Sequence, residues 1–269
     1  MARSDDKEDG ITETVKTVVY ALLIALLFRS FFLQPFYIPS GSMKDTLLVG
    51  DFLFVNKMAY GYSSASCEIP LVKVSFCPFL EDRILERDPK RGEVVVFLHP
   101  TSGQDYIKRL IGLPGDTVQM KSGVLYLNGK AQPQTPDGNF IEEFAPQGSF
   151  GNTPGCANGA TGLGADCIKP RSQEELDGYG SHAVLNIVDG GRSDNTKVYT
   201  VPEGHFFFMG DNRDNSVDSR FPQGASGGVG MVPFANLLGR ADRVIFSSAG
   251  KRMLFFWTWR GDRFFKAIQ

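Results

Sequence analysis

Three polar stretches stand out from the apolar runs of this chain: Ile38 to Leu48, reading IPSGSMKDTLL; Asp105-Tyr-Ile-Lys-Arg109, leading into Gly112-Leu-Pro-Gly-Asp116; and Met209-Gly-Asp-Asn-Arg-Asp-Asn-Ser-Val-Asp-Ser-Arg220. Ser40 and Ser42 flank a glycine next to a proline, a setting that also suits an ordinary turn, because Pro and Gly fix tight backbone geometry and Ser hydroxyls bond locally to it. A serine hydroxyl becomes a good nucleophile only when a base takes its proton. No histidine lies in the three stretches, and His99, His182 and His205 stand alone, so they read as surface or strand-end residues rather than metal ligands. Lysine can replace histidine as the base if burial among apolar groups lowers its pKa toward neutrality. Lys108 follows Tyr106-Ile107 and precedes Leu110-Ile111, so on a strand its neighbours would supply an apolar wall. The competing reading is a solvated Lys108–Arg109 pair at a strand end.

These stretches need elements to hold them, and the chain past its N-terminal region reads mostly as strands. Asp51 to Val55, Glu93 to Leu98, Val118 to Met120, Val124 to Leu127, Val198 to Val201, His205 to Phe208 and Arg243 to Phe246 are short, β-branched or aromatic, and bounded by Gly, Pro, Asn or Asp. Asn128-Gly129 is the signal of a tight hairpin. Between Gln132 and Lys197 the composition shifts to Gly, Pro, Ser and Asn, which predicts an insertion or cap with a short helical turn near Glu174 to Leu176. The fold class is therefore mainly β.

The run Val15 to Phe36 is the one long apolar segment. Its uncharged centre, Thr17 to Phe28, would span only about 18 Å as a helix against a hydrocarbon core of roughly 30 Å. Lys16 and Arg29 can snorkel toward opposite interfaces while Val15, Phe31, Phe32 and Leu33 lengthen the segment, which makes a single membrane anchor. A buried core helix is the alternative. A cleaved signal peptide fits less well, since Arg-Ser-Phe-Phe-Leu-Gln-Pro follows the run with no small-x-small pattern. Arg3 and Lys7 stand among Asp5, Asp6, Glu8 and Asp9, so the charge bias that would orient an anchor is weak.

Lys and Arg total 28 against 30 acidic residues, a net charge of −2 that gives no electrostatic reason for a nucleic-acid partner. The four cysteines fall as two local pairs, Cys67 with Cys77 and Cys156 with Cys167, which fits disulfides in an oxidising compartment. Neither pair has zinc-knuckle spacing, and neither a metal nor a cofactor is expected. Phe is frequent, 22 residues, with a cluster at Leu254 to Trp259 that suits either a bilayer interface or a hydrophobic core.

Pro39-Ser-Gly-Ser-Met43 with Thr46-Leu-Leu-Val-Gly-Asp51, Arg91 to Phe97, Tyr106 to Arg109 with Gly112 to Asp116, and Gly210 to Arg220 resemble, in order, the motif boxes of bacterial type I signal peptidases. Asp45 departs from the pattern, standing where many members have proline. The resemblance implies a signal-peptidase-like antiparallel β catalytic body, 37–131 and 198–269, with an inserted cap, 132–197, an N-terminal transmembrane helix, 15–36, and a tail, 1–14. It implies a serine endopeptidase that removes signal peptides from exported preproteins, working as a monomer in the bacterial inner membrane, single-pass, with its catalytic domain outside the cytoplasm. On the matching positions, Ser42 is the nucleophile and Lys108 the general base. Ser40 completes an oxyanion hole with the Ser42 N–H, Ser216 orients the lysine, and Asp218 with Arg220 braces the site. Phe36, Ile38, Met43, Leu47, Leu53, Val96, Tyr106 and Ile107 would line shallow pockets for small residues at positions −1 and −3 of the preprotein. The non-enzyme alternative is an anchored β-domain serving as an assembly scaffold.

Overall fold

Alternation of buried and half-buried positions along Asp51–Asn56, with Asp51, Leu53 and Val55 buried, is the pattern of a strand with one face in the core. Each such Leu or Val contributes about 1.5–3 kcal/mol of burial. The computed structural model describes residues 12–24, 32–64, 66, 68–69, 74–75, 83–148, 150–160, 162–224, 227–250 and 255–268. Among these residues every pairing between strands is antiparallel. The largest sheet has seven strands, in the order Leu33–Tyr37, Asp51–Asn56, Leu237–Ser247, Val94–Leu98, Asp105–Gly112, His205–Met209 and Val232–Pro233.

Because side chains alternate across a sheet, its two faces carry separate clusters. Ile38, Met43, Leu47, Leu53, Val94, Val96 and Val244 pack on one, and Val95, Phe97, Leu110, Phe206 and Phe208 on the other. A four-stranded sheet continues the body, with Tyr199–Thr200, Thr117–Lys121, Val124–Leu127 and Lys130–Ala131 as its strands, and Asn128 and Gly129 turn its tight hairpin at positive φ.

Two segments differ from expectation. Residues 12–24 are helical, but among the described residues no helix is long and apolar enough to cross a membrane, and 25–31 of the expected anchor lie outside the described residues. Leu33 to Phe36, read as the end of that anchor, belong to a strand, Leu33–Tyr37, paired with Asp51–Asn56. Pro35 explains this: it removes a donor that a helix needs, yet is tolerated on the edge strand of a sheet.

The stretch expected to be loop-rich contains a three-stranded sheet of Gln134–Glu143, Asp166–Leu176 and Gly180–Leu185. Glu174 to Leu176 ends a strand rather than forming a helical turn. The buried positions of Asp166–Leu176 include Cys167, Lys169 and Glu174, so its alternation is carried partly by charged residues and does not register as hydrophobic periodicity. Cys156 and Cys167 form a disulfide with Cα atoms 5.0 Å apart; Cys67 and Cys77 lie outside the described residues. Phe256 and Trp257 are each 68% exposed, which does not fit the core reading of the C-terminal aromatics.

Candidate active site

The Ser42 turn joins two neighbouring strands, Leu33–Tyr37 and Asp51–Asn56, and is closed at its base by Ile38 N–H to Asp51 O, 2.8 Å, and Gly50 N–H to Ile38 O, 3.0 Å. Gly50 adopts a φ of +95°, and a Cβ there would collide with the Ser248 carbonyl oxygen. Met43 and Leu47 point into the core and fix the turn from below. Asp51 gathers Arg263, which donates to both carboxylate oxygens at 3.0 and 2.6 Å, the Ser247 hydroxyl at 2.6 Å and the Leu48 N–H at 2.8 Å.

Lys108 sits in the interior strand Asp105–Gly112, in register opposite Val95 of the central strand, on the face that carries Tyr106 and Leu110. Its Nζ lies 2.6 Å from Ser42 Oγ and donates to the Ile107 carbonyl at 3.1 Å. Ser42 is 7% and Lys108 4% exposed. Burial lowers the Lys108 pKa to about 8, opposed by Asp218 and Asp211 and assisted by Arg220. The solvated-pair reading of Lys108 and Arg109 is thereby excluded, since both are buried.

The third polar stretch clamps the other two. Asn212 donates its N–H to the Ser42 carbonyl and its Nδ2 to the Gly41 carbonyl, both at 3.0 Å. Asp211 accepts from Arg109 Nε and Nη2, each at 2.8 Å, and from the Thr46 hydroxyl at 2.6 Å, so one carboxylate ties the serine turn to the lysine strand. Arg220 and Asp218 form a two-pronged pair with both contacts at 2.9 Å. Burial works against the Asp218 charge, but Arg220 and the Gly210 N–H hold its pKa below the usual range. With their charge offset by the arginines, these carboxylates raise the Lys108 pKa by less than burial lowers it. At Gly210 a Cβ would meet Ser216 Oγ and the Ser42 carbonyl oxygen, so only glycine lets this motif approach the turn.

A cleft of about 610 Å³ opens beside Ser42 and Lys108. Phe36, Ile38, Val96, Tyr106 and Ile107 line it as expected from the resemblance, together with Ser40, whose hydroxyl is 3.5 Å from that of Ser42. Met43, Leu47 and Leu53 do not: they are 1%, 0% and 0% exposed and pack in the core, because the inward positions of the turn and of the strand Asp51–Asn56 face the core rather than the cleft. Tyr37, Asn215 and Val217 also line it, unforeseen although each adjoins a residue already singled out.

Two further expectations change. Ser216 is buried next to Gly210, but its Oγ makes no hydrogen bond to Lys108; it bears instead on the Asp218 carboxylate, and the second partner of Lys108 is its own strand's Ile107 carbonyl. Of the histidines expected at the surface or at strand ends, His99 directly follows Val94–Leu98 and His205 begins His205–Met209, but His99 and His182 are buried: His99 Nε2 meets the Gly228 carbonyl at 3.0 Å, and His182 lies among Glu174, Asp211 and Tyr179. Among the described residues no group of His, Cys, Asp and Glu could hold a metal ion.

Comparison with known proteins places this geometry in context. The family model described as "Signal peptidase, peptidase S26" matches residues 11–246. A signal peptidase I of Rickettsia typhi is 37% identical over 246 residues, 88% of this chain and 83% of its own. That of Rickettsia massiliae is 36% identical over 252 residues, 91% of this chain and 85% of its own. A solved signal peptidase I from Enterococcus faecalis is 26% identical, covering 57% of this chain and 97% of its own, with a TM-score of 0.29, too low to bear on the fold.

Proposed function

The chain belongs to the signal peptidase family, peptidase S26, and is a peptidase of the signal peptidase I type; from that premise we propose that it cleaves signal peptides by a Ser42/Lys108 dyad through an acyl-enzyme. The observation that carries this reading is the 2.6 Å contact between Lys108 Nζ and Ser42 Oγ at the edge of an apolar cleft, with burial holding the lysine pKa near 8. A signal peptide would lie extended along the strand edges, its small side chains entering the cleft between Phe36, Ile38, Val96, Tyr106 and Ile107.

Neutral Lys108 accepts the Ser42 proton as Oγ bonds to the scissile carbonyl carbon. The oxyanion that forms faces the Ser42 N–H and the Ser40 hydroxyl, donors that strengthen as charge develops. The Lys108 ammonium then protonates the departing amine, the C–N bond breaks, and Ser42 is left as an ester. Neutral again, Lys108 takes a proton from water, whose oxygen attacks the ester; Ser42 leaves and recovers the proton. Asp211, Asp218 and Arg220 touch no reacting atom and position those that do. The apolar N-terminal segment anchors the body at the membrane in this reading, and the exposed Phe255, Phe256 and Trp257 meet the interface.

The test is cleavage of a preprotein with an Ala-x-Ala site by the detergent-solubilised chain, beside Ser42→Ala and Lys108→Ala variants of unchanged circular dichroism. Cutting after the second Ala by the parent alone is the expected result. Equal cutting by all three, or none by the parent, would return the scaffold reading.

A further inference from the structure

A second cavity, of about 380 Å³, lies across Ser42 from the first, and the two share Pro39, Ser40, Ser42 and Asn215. Its other walls are polar: Lys44, Gln147, Asn152 and Thr153, with Gly41, Val49 and Pro154. A scissile carbonyl held at Ser42 has chain running away from it in both directions. If the apolar cleft takes the side before the bond, the residues after it enter this second cavity.

The second cavity is built, not incidental. The Lys44 side chain folds back along the turn, its Cε 3.2 Å from where a Gly41 Cβ would lie, and donates to Glu142 at 2.5 Å and Gln147 at 2.7 Å. Gln147 N–H also donates to the Asn152 carbonyl at 3.0 Å, closing the opposing wall. Gly148, at a φ of +62°, lets that wall lean on Val49, which a Cβ would strike at 2.7 Å. The disulfide beginning two residues past Pro154 joins the wall to the strand that bears Lys169.

Its charges do not balance. Glu142 is shared by Lys44 and Lys169, which are 3% and 1% exposed. Arg260 also acts on Lys44, and its carboxylate partner Asp51, 3.9 Å away, is already held by Arg263 at 2.6 Å. Around Lys44, the one charged residue in the cavity wall, half-buried Glu142 and buried Asp51 are therefore set against the four cations Lys44, Lys169, Arg260 and Arg263. Asp45 is engaged by Arg171 at 3.2 Å, and Asp262 is exposed to solvent. A positive field in a partly closed cavity favours an anionic side chain.

We propose that the Lys44 cavity receives the first residues of the mature protein, after the cleavage site, and selects an acidic side chain there. This rests on the signal-peptidase reading, so the experiment separates the two. Preproteins with one Ala-x-Ala site, followed by Asp, Asn or Lys at the first or second mature position, are compared by kcat/KM. The parent is expected to cut the better-placed Asp substrate about ten-fold faster than its Lys counterpart, with Asn between. Lys44→Met should bring that ratio close to one, and Thr153→Glu, at an exposed position that folding tolerates, should reduce or invert it. A parent ratio near one at both positions, a preference for Lys, or a ratio unmoved by Thr153→Glu overturns the proposal while leaving signal-peptide cleavage intact. A parent that cuts none of the substrates overturns the cleavage reading instead.

Discussion

Lys108 and Lys44 both stand close to Ser42, 4% and 3% exposed, but their direct partners differ. The hydrogen-bond partners of Lys108 are a hydroxyl and a backbone carbonyl, and the two carboxylates that act on it, Asp218 and Asp211, are each gripped by an arginine. Burial therefore prevails, and its pKa comes down to about 8. The Lys44 pKa also ends below its ordinary value, because burial outweighs Glu142 and is assisted by Lys169 and Arg260, but Glu142 at 2.5 Å holds its proton by charge and by a direct hydrogen bond that Lys108 lacks. The difference teaches that burial alone does not make a lysine a base. A lysine that is to serve as a base also needs contacts that do not stabilise its proton, and of these two Lys108 alone is free of a direct carboxylate contact.

The sharpest way to break the comparison is to keep the charge and remove the ability to lose it. Lys108→Arg should cost about 10³-fold or more in kcat/KM on an Ala-x-Ala preprotein, because a guanidinium stays protonated, whereas Lys44→Arg should stay within a few-fold on a substrate with Asn after the site. Comparable losses in both variants would dissolve the distinction. Next in size is Glu142→Gln, which leaves Lys44 and Lys169 buried without their carboxylate and should lower unfolding stability by about 3–5 kcal/mol in chemical denaturation. An unchanged midpoint would show that the pair is not held as described. The smallest effect concerns pH: parent kcat/KM should climb with pH through about 8, since only the neutral amine accepts the Ser42 proton. Val217→Glu, an exposed change on the cleft wall, should favour the ammonium and move that limb upward by roughly half a unit to one unit. A profile flat down to mildly acidic pH would remove Lys108 as the base.

Much of the body was legible because its strands are short β-branched or aromatic runs bounded by Gly, Pro, Asn or Asp, as Asp51–Asn56 is, and because Asn128-Gly129 can serve few purposes besides a tight turn. The insertion was not, since the buried positions of Asp166–Leu176 include Lys169 and Glu174, whose burial makes sense only beside Glu142 and Arg213. Leu33 to Phe36 was misjudged for a related reason: a run in which only Gln34 is polar continues a greasy helix as readily as it forms an edge strand, and the pairing with Asp51–Asn56 is a long-range fact.

The sequence by itself determined the chemical types. It supplied a serine in a Pro/Gly turn, a lysine among apolar neighbours, no histidine in the polar stretches to compete with it, and a strand-forming pattern to carry both. Tertiary structure alone decided the rest: that residues 66 apart meet at 2.6 Å, that Ile38 lines the cleft while Met43 and Leu47 fill the core, and that of two buried lysines near Ser42 one meets a carboxylate and the other does not. The reason is physical. A residue's type follows from its side chain, but its pKa and its role depend on which groups share its low-dielectric surroundings, and those arrive from distant parts of the chain.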